Sequence, residues 1–169
     1  MTMIKLGDRL PEGKLQEATE FDSKTGCPLS PKEVDVGAAV KGKKIVIFAV
    51  PGAFTPTCSM QHLPGYVENY DKFKAKQVDE IWCVATNDAF VMAAWGRDQG
   101  ATGKLRMLSD SGAWSKALGL DMDLTARGMG VRSQRYSMLV DDGVVKQLNV
   151  EAGGKFEVSG AETMLKQLA

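Results

Sequence analysis

At 169 residues and 18.3 kDa, with 44% hydrophobic content, the chain is long enough for one domain spanning residues 1–169 with a sizeable core, and no stretch reads as a linker. Its 21 Lys plus Arg match 21 Asp plus Glu, which argues against nucleic acid or an anionic membrane as a partner. Three cysteines and one histidine make neither a disulfide framework nor a structural zinc pattern, and no apolar run reaches the roughly 18 residues of a membrane helix. The opening Met-Thr-Met-Ile-Lys-Leu has no apolar signal segment either, so reduced thiols in the cytoplasm are the expectation.

Along residues 1–43, scattered apolar positions lie between turn formers such as Pro11-Glu-Gly13 and Lys24-Thr-Gly26, a pattern of short strands and hairpins. Ile45 to Val50 is an unbroken apolar run of strand length, as in a central strand covered on both faces. It ends at Pro51-Gly52 and leads into Thr55-Pro-Thr-Cys58. Thr55 suits a helix N-cap and Pro56 the first helical position, which puts Cys58 at the third. A thiol there faces free N–H groups and the positive end of the helix dipole, a setting that favours the anion.

A helix is expected over 60–77, bent at Pro64-Gly65, with Tyr66, Tyr70 and Phe73 on its buried side. Residues 79–86 return to strand, with Ile81, Cys83 and Ala85 on one face and Trp82, Val84 and Thr86 on the other. A second helix follows Asn87 or Asp88 and carries Phe90, Val91, Ala94 and Trp95. Leu105–Leu108 reads as a strand, Ala113–Leu118 as a helix stopped by Gly119, and Leu120–Gly130 as a loop. Two strands, over 135–140 and 144–150, flank Asp141-Asp-Gly143, a hairpin signal. Ser159-Gly-Ala-Glu162 has the form of a capping box opening a last helix. The sum is an α/β chain: a mixed sheet with helices on both faces, ligands gathering at the carboxyl ends of its parallel strands.

Cys58 stands at such an end. The alternative, an inert core thiol, fits poorly with the turn and cap residues around it. Thr55 can serve both as cap and as a hydroxyl that orients a ligand oxygen near the sulfur. A permanently charged guanidinium would stabilise a thiolate and a developing oxyanion, and Arg127, Arg132 and Arg135 crowd the segment before the hairpin. Spacing does not choose among them, although Arg135 enters the strand and so stands on the stiffer element. His62, one helical turn beyond Cys58, could serve as a general base but has no acidic partner in view, and packing is the simpler reading. Cys83 reads first as core packing; Cys27 lies in a loop without an activating neighbourhood. The three tryptophans are too dispersed for a base-stacking platform, and the Gly-rich pieces lack a nucleotide-binding context.

The stretch Pro51-Gly-Ala-Phe-Thr-Pro-Thr-Cys-Ser59 closely resembles the peroxiredoxins, in particular the type II or peroxiredoxin-5-like group. So do His62-Leu-Pro-Gly65, Asn87-Asp-Ala-Phe-Val-Met92, Trp95 and Arg135-Tyr-Ser-Met-Leu-Val-Asp-Asp-Gly143. The likeness runs from about Met3 to Leu168. It implies a thioredoxin-like fold with an N-terminal β extension and an antioxidant thiol peroxidase acting on hydrogen peroxide and alkyl hydroperoxides. Cys58 then resembles the peroxidatic cysteine, Thr55 the hydroxyl that positions peroxide, Pro51 the proline that shields the pocket, and Arg135 the activating arginine, with Arg132 auxiliary. The resemblance implies no metal or haem, and a homodimer with its interface near the site. Some members resolve the oxidised cysteine with one in the C-terminal loop, which here reads Gly153-Gly-Lys-Phe-Glu-Val-Ser159 and has none; plant-like members carry one matching Cys83. Glutathione with glutaredoxin is therefore the preferred reductant, and thioredoxin with Cys83 as resolving cysteine the second. Another reading is a redox-sensing interaction module; a thiol–disulfide oxidoreductase lacks its C-x-x-C.

Overall fold

The computed structural model describes residues 2–168. In chain order it contains β1 (Lys14–Glu17), β2 (Glu20–Phe21), β3 (Pro28–Leu29), β4 (Lys32–Asp35), α1 (Val36–Val40) and β5 (Lys44–Ala49). A π-helical turn (Cys58–His62) then leads into α2 (Leu63–Glu68), α3 (Tyr70–Ala75), β6 (Glu80–Ala85), α4 (Ala89–Asp98), β7 (Arg106–Ser109) and α5 (Ala113–Leu118). The last part holds β8 (Asp121–Leu124), a 3-10 turn (Thr125–Arg127), β9 (Gly130–Ser133), β10 (Tyr136–Asp141), β11 (Val144–Val150) and α6 (Ala161–Gln167).

Seven strands form one mixed sheet in the order β11-β10-β5-β6-β7-β1-β4, with β5, β6 and β7 parallel and the rest antiparallel. Of the expected N-terminal strands, β1 and β4 join the main sheet at one edge, while β2 and β3 pair with each other as a separate ribbon. Alternation along β5 sends Val46 and Phe48 to one face and Ile45, Ile47 and Ala49 to the other. On the first face lie α2, α3, α4 and α6, which contribute Leu63, Tyr66, Phe73, Met92, Trp95 and Met164; on the second lie α1 and α5, which contribute Val40, Trp114 and Leu118. The expected division of β6 holds: Ile81, Cys83 and Ala85 face the first layer, Trp82 and Val84 the second. Each tryptophan is buried and its indole N–H donates, to Glu80, Ser59 and Pro11 in turn.

Several expectations need correction. The helix begins at Pro56, as the Thr55 cap suggested, but runs unbroken into the segment expected from residue 60, and its irregularity comes before Pro64 instead of at Pro64-Gly65. Pro64 has no N–H, and its ring crowds the carbonyl four residues back, so the preceding turn widens and Leu63 N–H donates to Cys58 O. Asn69 then interrupts it, its side-chain amide returning to Gly65 O at 2.7 Å. α4 carries Phe90, Val91, Ala94 and Trp95 as expected; its buried side is Ala89, Met92, Ala93, Trp95 and Gly96, and Phe90 is 47% exposed. The segment 120–130 contains β8, which pairs with β9 as a hairpin, where a loop was expected. The capping box does not form: the Ser159 hydroxyl donates to Glu151 instead, and Gly160 precedes α6 without a side-chain cap. The β10–β11 hairpin turns as expected at Asp142 and Gly143, both with positive φ.

Candidate active site

β5 is the strand that carries the site. Its ladder continues one residue further, Val50 N–H donating to Val84 O, and stops at Pro51, which has no N–H to offer. The chain then turns sharply through Phe54, a non-glycine residue at φ 65°. Holding a side chain in this left-handed region costs about 1–2 kcal/mol. The turn is held from outside: Asn87 Oδ1 accepts from Ala53 N–H at 2.8 Å. Gly52 fits because a Cβ there would stand 3.1 Å from Thr55 Cγ2 and 3.2 Å from an Arg132 nitrogen.

Thr55 precedes the first helical residue, as the sequence suggested, but its hydroxyl donates to Gly52 O at 2.7 Å, and no helix amide donates to it among the described residues. Its oxygen keeps free lone pairs. Cys58 is fully buried on the first helix layer's side of the sheet. Arg135 lies immediately before β10, one residue outside the strand it was expected to enter, and is registered there by Glu151 N–H donating to Arg135 O at 3.0 Å.

From that position the two guanidinium arms divide. One nitrogen donates to Cys58 Sγ at 3.1 Å, the other to His62 Nδ1 at 3.0 Å. The second contact fixes the imidazole. A guanidinium only donates, so Nδ1 accepts; Nε2, 2.9 Å from Ser159 O, therefore carries the hydrogen. Burial and, next, the Arg135 charge hold His62 down at about 3, so the ring is neutral. Tyr66 also donates to Ser159 O at 2.9 Å, and its burial pushes the hydroxyl's titration up. His62 is thus an acceptor that orients Arg135, a role the sequence reading did not assign. The available signal was its place one helical turn from Cys58.

The other two arginines are elsewhere. Arg132 donates to Met129 O at 2.8 Å and Pro51 O at 3.2 Å, bracing the turn. Arg127 is exposed at the edge of a cleft of about 570 Å³ beside the site. Pro51, Thr55, Arg135 and Glu151 line it together with Met122, Leu124 and Met129, which come from the unexpected β8–β9 hairpin and its connection and supply apolar lining. Cys83 is opposite Phe48 in the parallel ladder and fully buried, and burial, then the nearby Cys58, pushes its thiol well up. Cys27 is exposed; all three thiols are free.

A mixed sheet whose central strand delivers a cysteine to the start of a helix, with a guanidinium on the sulfur, defines a thioredoxin-like thiol protein. Relatives narrow this. The Redoxin family model matches residues 5–165. Peroxiredoxin-2C of Oryza sativa subsp. japonica is 44% identical over 169 residues, covering 99% of this chain and 100% of that protein. The chloroplastic Peroxiredoxin-2E of Arabidopsis thaliana is 48% identical over 168 residues, covering 98% of this chain and 69% of that protein. The crystal structure of reduced Prx3 in complex with H2O2 from Vibrio vulnificus superposes with a TM-score of 0.89 at 50% identity, over 99% of this chain and 100% of the other. The chain belongs to the peroxiredoxins, thiol peroxidases of the thioredoxin-like superfamily, in their type II group.

Proposed function

We propose that the chain reduces hydrogen peroxide and alkyl hydroperoxides with Cys58 as the peroxidatic thiol. The observation that carries this reading is the Arg135 guanidinium 3.1 Å from Sγ, beside a cleft lined by Thr55 and Pro51. The thiolate attacks the terminal peroxide oxygen; an S–O bond forms as the O–O bond breaks. Cys58 becomes a sulfenic acid, and the leaving alkoxide or hydroxide takes up the proton the thiol released, departing as alcohol or water. The Thr55 hydroxyl hydrogen is engaged by Gly52 O, so its oxygen is suited to accept from the peroxide O–H and align the O–O bond with the sulfur. Arg135 acts where negative charge spreads from sulfur across both oxygens, so it lowers the barrier more than it tightens resting substrate. Pro51 shields the sulfur, and Arg132 holds Pro51 in place. The apolar lining suits the alkyl part of an organic hydroperoxide.

For recycling, glutathione condenses with the sulfenic acid to a mixed disulfide and water, and glutaredoxin takes the glutathionyl group by thiol–disulfide exchange. The burial of Cys83 in β6 and the upward push on its thiol support an external thiol over internal resolution through thioredoxin. A homodimer and a reducing, glutathione-containing compartment, the cytoplasm, complete the reading; Phe54, exposed in the turn before Cys58, supplies apolar surface for a second copy. The test is mass mapping of Cys58 after one equivalent of peroxide. Sulfenic acid alone, converted to a glutathione adduct when glutathione is present, is expected; an unmodified Cys58 would refute the peroxidase, and a Cys58–Cys83 disulfide would refute the proposed recycling.

A further inference from the structure

We propose that Glu151 is a positioning residue for the Cys58 site: through the Ser159 carbonyl and the His62 ring, it sets where the Arg135 guanidinium stands against the sulfur. The inference rests on the peroxidase reading above for its kinetic consequence.

Glu151 follows β11 and is only 7% exposed. Its carboxylate gathers the next loop: Glu157 N–H donates at 2.9 and 3.0 Å to its two oxygens, Val158 N–H at 2.9 Å, Ser159 N–H at 2.7 Å and the Ser159 hydroxyl at 2.6 Å. With amide and hydroxyl both tied, Ser159 has its carbonyl aimed at His62 Nε2 and the Tyr66 hydroxyl, each 2.9 Å away. A carbonyl only accepts, so it selects the Nε2–H form of the imidazole and leaves the Nδ1 lone pair for Arg135. The backbone of Glu151 holds the other end of the same residue, its N–H donating to Arg135 O at 3.0 Å. One residue therefore fixes Arg135 at its backbone directly and at its guanidinium through a relay.

The indirect route has a chemical reason. None of the ion pairs among the described residues includes Arg135. A carboxylate placed on the guanidinium would orient it but also draw down the charge the sulfur and the developing oxyanion need. Here a neutral ring orients the arginine, and the carboxylate's charge is held on amides and a hydroxyl one residue further along the relay. A long, flexible arginine otherwise has many rotamers to lose before it meets a peroxide in the right geometry.

The test compares, at Cys58, the rate with hydrogen peroxide to the rate with iodoacetamide in wild type, Glu151→Ala and Glu151→Gln. Alkylation needs the thiolate but not a guanidinium aligned on a peroxide, so general loosening or a change in thiol ionisation moves both rates, while misplacement of Arg135 against the two peroxide oxygens lowers their ratio. The ratio is expected to fall about tenfold to a hundredfold in Glu151→Ala, with partial recovery in the isosteric Glu151→Gln. In an Arg135→Ala background the Glu151 change should add less than about twofold. The chain's one histidine permits a direct second reading: 15N NMR of wild type should show hydrogen on Nε2 and a bare Nδ1, and the two shifts should move together in Glu151→Gln. An unchanged ratio and unchanged His62 shifts in Glu151→Gln, or effects that multiply in the double variant, overturn the proposal. Slow peroxide oxidation of wild-type Cys58 itself would overturn the peroxidase reading instead, and the imidazole shifts would still decide the relay.

Discussion

Cys58 and Cys83 share one face of the sheet and one core cluster, and neither has any exposed surface. Burial alone would make both inert. They differ in what the surrounding backbone permits. Cys83 lies within β6, between parallel partners on both sides, where the ladder occupies the backbone and the side chain meets hydrocarbon. Cys58 lies in a turn that has left the ladder at Pro51, at the start of a helix widened by Pro64, and an arginine reaches its sulfur. The end of a strand and a cation brought from elsewhere in the chain set Cys58 apart from a neighbour that has neither.

The largest effect follows from removing the reacting atom. Cys58→Ser should reduce the stopped-flow rate of peroxide reduction by about a thousandfold or more, because serine at neutral pH is not the anion the reaction needs. Equally fast reduction in that variant would erase the contrast between the two thiols. Arg135→Ala comes next: it should cost about a hundredfold to a thousandfold in the peroxide rate, the magnitude typical of one lost donor to a developing oxyanion. Arg135→Lys should recover only part of this, because a point charge has no second arm for His62 while the first contacts sulfur.

That arginine also marks how far the sequence could be read. The strand, Pro51, Thr55, Pro56 and Cys58 lie within one short segment, and local rules placed them. Arg127, Arg132 and Arg135 lie just as close to each other; only the family resemblance singled out Arg135, and the register of β10 against β5 and the Glu151 amide are what bring it to the sulfur. Local rules failed where a distant partner competed. Ser159 has the spacing of a capping residue, but a buried carboxylate eight residues earlier takes its hydroxyl. Likewise, Leu120–Gly130 is rich in turn residues, and nothing local shows that Asp121–Leu124 pairs with Gly130–Ser133 to line the cleft.

His62 sharpens the contrast through pH. Held at about 3 in the folded chain against 6.5 when free, the ring binds its proton more readily in the unfolded state throughout that interval. The unfolded state then holds more protons, so stability rises with pH between these values and falls as the solution is acidified. Glutamine does not titrate, so wild type should lose stability relative to His62→Gln as the solution is acidified, whatever their difference at pH 7. Denaturant titrations should show this loss as pH drops below 6.5, by at most about 1.4 kcal/mol per pH unit. A gap that stays constant down to pH 3 would mean the ring is not buried neutral beside Arg135.

The smallest effect belongs to the other thiol. Cys83→Ala removes one buried sulfur from a packed layer and should cost about 1 kcal/mol or somewhat more in stability. The peroxide rate should change by less than about threefold, since Arg135, Thr55 and the turn are built from other strands and loops. Turnover with glutathione and glutaredoxin should also persist. For Cys83 to resolve Cys58, the two Cα atoms must come within about 7 Å with suitable side-chain directions. The helix start that holds Cys58 against Arg135 would then have to rearrange toward a residue locked between β5 and β7. Loss of turnover in a folded Cys83→Ala protein would show that this rearrangement occurs, and that the ladder around β6 opens more easily than its burial suggests.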